Sequence, residues 1–79
     1  MNIQQRLSGD VLALAKRRYN NDCLAVLYVK LAEGFWRVFV FNTQSKVIVV
    51  RGTLKSTPES ALISVRDSLI AAIRKMQAS

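Results

Sequence analysis

The chain has no histidine, one cysteine and one proline in 79 residues, and only 5 acidic residues. Without histidine there is no Ser-His-Asp or Cys-His nucleophile system, no imidazole acid–base catalyst, and no zinc site beyond one built from thiolates or carboxylates. The single cysteine supplies neither those thiolates nor an intramolecular disulfide, which excludes a small secreted scaffold held together by bridges. Asp10, Asp22 and Asp67 are scattered and show no spacing suited to a hard cation. The lone Gly9 beside Ser8 does not make a phosphate loop. These absences point away from an enzyme, a cofactor and a small-molecule substrate. Apolar runs are short, as in Val38–Phe41 and Val47–Val50, against the roughly 20 residues that span a bilayer. Residues 1–6 carry no basic stretch leading into an apolar one, so the expectation is neither a membrane span nor a secretory signal, and a reducing cytoplasm as the compartment.

What the chain does have is a 51% hydrophobic composition and 12 basic residues, for a net charge of +7. That apolar content argues for a folded chain, and the length for one domain. Ile3, Leu7, Val11 and Leu14 fall on one stripe of a helix over residues 3–18, with Asn2 as its N-cap and Lys16, Arg17 and Arg18 in its last turn. Gly9 weakens the middle, leaving Ser8 with Asp10 as another possible start. From Cys23 onward the period changes to two and β-branched and aromatic residues dominate, predicting strands over 23–31, 35–41 and 46–51 joined by short turns. Thr57 then caps a helix over 58–76, with Pro58 at its first position and Glu59 at the positive end of its dipole. Leu62, Val65, Leu69, Ala72, Ile73 and Met76 form its buried stripe. The order αβββα predicts a single α+β domain, a three-stranded antiparallel meander with both helices packed on one face.

A two-residue turn at Glu33-Gly34 sets a definite register. Leu31 then faces Trp36, Val29 faces Val38 and Leu27 faces Val40, and with Cys23, Ala25, Val47 and Val49 these residues make the expected core face. The opposite face then carries Val26, Tyr28, Lys30, Phe35, Arg37, Phe39, Phe41, Lys46, Ile48 and Val50. So many apolar groups facing water call for a cover. Tyr28, Phe35, Phe39, Phe41, Ile48 and Val50 are the expected interface residues. Three occupants are physically reasonable: a second copy making a homodimer, a different protein, or bases stacked on the aromatics while Lys30, Arg37 and Lys46 meet phosphates. Burial by protein is the commoner fate of such a face.

The charge itself attracts polyanions, DNA or RNA. The expected phosphate contacts are Lys16, Arg17, Arg18, Lys30, Arg37, Lys46, Arg51, Lys55, Arg74 and Lys75. Side-by-side helices would merge the first and last of these groups into one stripe, although cations also gather at helix C-termini simply to complement the dipole. Cys23 and Trp36 are read as core residues.

The αβββα order in a basic domain resembles the double-stranded-RNA-binding domain. That family reads a minor groove with the loop between its first two strands and crosses phosphates with a lysine cluster at the final helix. Here the loop is Ala32-Glu33-Gly34, short and acidic, and the helix opens Thr57-Pro58-Glu59-Ser60-Ala61 with Lys55 alone nearby. The resemblance therefore implies the fold and not that duplex grip. Gly52-Thr53-Leu54-Lys55-Ser56-Thr57-Pro58-Glu59-Ser60-Ala61-Leu62, followed by Val65 and Leu69, is similar to the strand-to-helix segment of HicB-type antitoxins. HicA-type ribonucleases of related fold use a histidine that this chain lacks. The expectation is a small non-enzymatic basic module that binds nucleic acid, or a complex containing it, and associates through its sheet face. The alternatives are a protein-binding inhibitor or adaptor from a phage or mobile element, and a structural homo-oligomer.

Overall fold

Asn2 and Thr57 start the two helices of the computed structural model, which describes residues 2–78. The first helix, α1, spans Ile3–Tyr19, and the Asn2 carboxamide oxygen accepts the Gln5 N–H at 2.8 Å. It runs unbroken through Gly9 and ends at Asn20 in the left-handed conformation, φ 50°, a conformation asparagine tolerates better than most side chains. The last helix, α2, spans Pro58–Ala78, with the Thr57 hydroxyl accepting the Ser60 N–H at 3.1 Å. Three strands lie between, β1 (Leu24–Lys30), β2 (Trp36–Asn42) and β3 (Ile48–Arg51), forming an antiparallel sheet in the order β1-β2-β3. The element order and the single α+β domain agree with the expectation from sequence.

Both helices cover one face of the sheet. Leu7, Val11 and Ala15 of α1 and Ala61, Leu62, Val65 and Leu69 of α2 are buried against Leu24, Val38 and Val40. A fully buried Leu or Val contributes about 1.5–3 kcal/mol, whereas the one ion pair among the described residues, Arg66 to Asp67 at 3.3 Å, is surface-exposed and worth at most about 1 kcal/mol. Stability therefore resides in the apolar layer between helices and sheet.

The helices run parallel. Gln4 of α1 donates to Glu59 at the start of α2 at 3.0 Å, Ile3, Arg6 and Asp10 share a groove with Ile63 and Arg66, and Leu14 and Arg17 share another with Ile73 and Arg74. The pairings advance in the same order along both helices.

The register of β1 differs from the expectation. The connection to β2 is a 3-residue helical turn, Ala32–Gly34, closed by the Leu31 N–H donating to the Phe35 carbonyl at 2.6 Å, with Glu33 at φ 69° and Gly34 at φ 81°. One loop residue more than a two-residue turn shifts the pairing by one and turns every side chain of the strand to the other face. Val26 therefore pairs with Val40 and Tyr28 with Val38. Leu24, Val26 and Tyr28 face the helices, while Ala25, Leu27 and Val29 face outward, the reverse of the expected arrangement. Lys30, expected on the outer face, lies at the exposed end of β1 on the helix-side parity, and Leu31 is exposed in the loop. Cys23, expected in the core, is half-buried just before the strand.

The second connection, which the predicted strand bounds place at Asn42–Ser45, spans Thr43 to Lys46. The Asn42 N–H donates to Val47 at 2.8 Å, and the Asn42 carboxamide accepts the Gln44 and Ser45 N–H groups at 2.8 and 3.0 Å. Lys46 sits in this turn at φ 65°, not in a strand, and Val47, expected in the core, is exposed. Phe41 pairs with Ile48 and Val40 with Val50, a shift that marks a bulge. Such a shift lets both Val49 and Val50 pack on the core. Ile48 thus faces outward as expected, and Val50 does not.

Candidate functional site

The alternation of β2 places Phe35, Arg37, Phe39 and Phe41 on the side of the sheet away from the helices. Their cross-strand neighbours are Val29 beside Arg37, Leu27 and Arg51 on either side of Phe39, and Ala25 and Ile48 on either side of Phe41. Leu27 is 51% exposed, Ile48 45% and Phe35 41%, a share of open apolar surface well above scattered single exposures. Of the six interface residues read from sequence, Phe35, Phe39, Phe41 and Ile48 lie on this face. Tyr28 and Val50 lie on the other: the Tyr28 ring packs 6.2 Å from Trp36, its hydroxyl donates to Gln4 at 3.5 Å, and both residues contact the core. Ala25, Leu27 and Val29 take their places. Tyr28 leaves the expected face because of the length of the first loop, both parities of β1 being apolar, and Val50 leaves it because of the bulge in β3.

Among the described residues, the only charges on the outer face are Arg37 and Arg51. Arg37 is half-buried, and its Nε is shielded from solvent with no acceptor among the described residues. None of the acidic residues Asp10, Asp22, Glu33, Glu59 and Asp67 occupies this face.

A second basic region lies at the end of the domain where both helices terminate. Lys16, Arg17 and Arg18 occupy the last turn of α1, and Arg74 and Lys75 the end of α2. Arg17 and Arg74 line one groove there with Leu14, Ile70, Ile73 and Gln77. The turn bearing Lys46 belongs to the same end, because the Thr43 N–H and hydroxyl both donate to the carbonyl of Cys23, just past α1. Tyr19 pins α1 to the sheet through a 3.4 Å bond from its hydroxyl to the Val49 carbonyl, and the Arg18 guanidinium lies 5.2 Å from the Tyr19 ring centroid. Two helix C-termini together carry roughly one negative charge equivalent. Six of the 12 basic residues and one acid, Asp22, gather at this pole, so complementing the dipoles accounts for only a small part of the charge.

Two other expected phosphate contacts are elsewhere. Lys30 lies at the opposite end of β1, next to the acidic turn at Glu33. Lys55 bonds through its backbone to Trp36 at 2.7 and 2.9 Å and lines a shallow surface with Ser60 and Asp67. That far end also holds Glu59, whose carboxyl is kept below the usual range by the Gln4 amide and by its own backbone N–H. Arg6 and Arg66 share a groove along the helix seam with Asp10. Among the described residues no group of three or more acidic or cysteine side chains is placed to hold a metal, and no helix is long and apolar enough to cross a membrane. No protein-family model matches the chain, no curated protein matches it in sequence, and no solved structure matches it in fold.

Proposed function

We propose that this chain is a small non-enzymatic binding module that contacts the phosphate backbone of DNA or RNA through its basic pole. The observation that carries this reading is the gathering of Lys16, Arg17, Arg18, Lys46, Arg74 and Lys75 at one end, where Asp22 is the one acidic side chain among the described residues. A concentrated positive end neutralises several adjacent phosphates at once and releases their counterions, which gives affinity without sequence preference and with a steep salt dependence. The Lys30, Glu33 and Glu59 end offers no comparable field. Binding of mixed-sequence RNA and duplex DNA, measured by fluorescence anisotropy from low to moderate salt, tests the proposal. Tight binding that weakens steeply with salt is the expected result, and no binding at low salt would overturn it.

A second reading is favoured by the open sheet face with its half-exposed Leu27 and Ile48. On this reading the chain is an inhibitor or adaptor that captures a protein partner, or a homo-oligomer, and the basic pole matches an acidic protein surface. Affinity capture assayed for both protein and nucleic acid, with sizing of the purified chain, separates the two. A protein bound stoichiometrically after nuclease treatment favours the second reading.

A further inference from the structure

The charge on the outer sheet face restricts what can cover it. A second copy laid face to face would bring Arg37 and Arg51 from each chain into one interface, with no carboxylate among the described residues of that face to meet them. Burying unpaired guanidinium groups opposes such an arrangement. The occupant has to offer apolar or π surface over the phenylalanines and negative charge beside the arginines.

We infer that this face binds single-stranded nucleic acid, with bases stacked on Phe39 and Phe41 and phosphates held by Arg37 and Arg51. The inference rests on the nucleic-acid reading above and adds to it a second surface and a strand state. Phe39 and Phe41 are two residues apart on the same face of the central strand, roughly 7 Å along its axis, so two neighbouring bases can each take a ring. Arg51 is the direct cross-strand partner of Phe39. The pair belongs to the closer, non-hydrogen-bonded kind, because the next residue, Gly52, donates its N–H to Val38 at 2.8 Å. Arg51 and Phe39 thus share a cross-strand position on the outer face, which brings a cation within reach of the phosphate of a nucleotide stacked on that ring. Arg37 lies two residues before Phe39 on the same strand and the same face. In duplex DNA or RNA the base faces are already stacked on one another, so this platform is available to single strands only.

The test compares a labelled single strand of about 12 nucleotides with a duplex of the same length, using the full chain and following anisotropy against salt. Phe39→Leu keeps an apolar side chain of similar size and removes the ring. It is expected to weaken single-strand binding roughly tenfold, leaving the slope of log affinity against log salt and the duplex affinity unchanged, while Phe39→Tyr keeps the parent affinity. Arg51→Ala is expected to lower the single-strand slope by about 0.7. Circular dichroism and thermal melting establish that each variant is folded. Parent-like single-strand affinity in both Phe39→Leu and Phe41→Leu overturns the inference and leaves the basic-pole reading standing. Failure of the parent chain to bind any nucleic acid at low salt overturns both. A dimer in sedimentation that Phe39→Leu dissociates, or polyglutamate binding that depends on Phe39 without single-strand binding, assigns the face to protein and also overturns the inference.

Discussion

The Cβ that Gly52 lacks would lie 2.7 Å from Cγ2 of Val65 and 3.1 Å from the Val38 carbonyl oxygen. Glycine is needed here for close approach, since the chain leaving β3 passes directly under α2 and donates its N–H to Val38. Gly52→Ala should destabilise the fold by about 1–3 kcal/mol through overpacking, read as a lower urea midpoint with an unchanged denaturant slope. Gly52→Ala with Val65→Ala should be less destabilised than the sum of the two single variants, because the clashing methyl is gone.

Glu33 holds a left-handed conformation at φ 69° in the loop that sets the β1 register. A non-glycine residue costs about 1–2 kcal/mol there, and glycine gives back part of that gain through its greater freedom when unfolded. Glu33→Gly should therefore raise stability by about 0.5–1 kcal/mol, measured by thermal or urea unfolding. A lower stability would mean that the Glu33 side chain, not its backbone, matters to the turn.

That loop also marks the limit of what was legible in the sequence. The helix starts at Asn2 and Thr57 were readable because capping is local chemistry, and the outward face of β2 was readable because aromatics and Arg37 alternate with Val38 and Val40. In β1 both alternating sets, Ala25-Leu27-Val29 and Leu24-Val26-Tyr28, are apolar, so the pattern does not choose a face. The choice falls to loop length, and Ala32-Glu33-Gly34 suits a two- or a three-residue turn equally well by composition. In β3 the run Val47-Ile48-Val49-Val50 conceals the bulge, since any of its members is fit for a core. The basic pole was visible as separate groups, and only the relative direction of the helices joined them.

Glu59 links the two helix starts through Gln4, and its carboxyl titrates below the usual range. A carboxyl with a depressed folded-state pKa adds stability above its unfolded-state pKa and loses it as pH falls through the folded value. Glu59→Gln should therefore be less stable than the parent near neutral pH, and the difference should shrink on acidification. Urea midpoints of both proteins at about pH 7 and about pH 3 measure this. A difference that does not narrow would remove the role given to the charge.

Arg17 and Arg74 lie across one groove at the basic pole and are exposed. The double variant Arg17→Ala, Arg74→Ala should lower the slope of log affinity against log salt for duplex DNA by about 1.8, near 0.9 for each phosphate that is no longer neutralised. Its melting temperature should stay within a few degrees of the parent, since neither side chain belongs to the buried layer. An unchanged slope would place the phosphates elsewhere.

Each strand of the meander reverses the direction of the chain, and the meander has three. An odd count returns α2 to the heading of α1, whereas an even count would set the helices head to tail and place their basic last turns at opposite ends of the molecule. The parity of the sheet thus converts a modest excess of lysine and arginine into a directed charge distribution. In the field of a polyanion such a distribution feels a torque before the two surfaces touch, so the domain turns as it approaches and arrives with the same end leading.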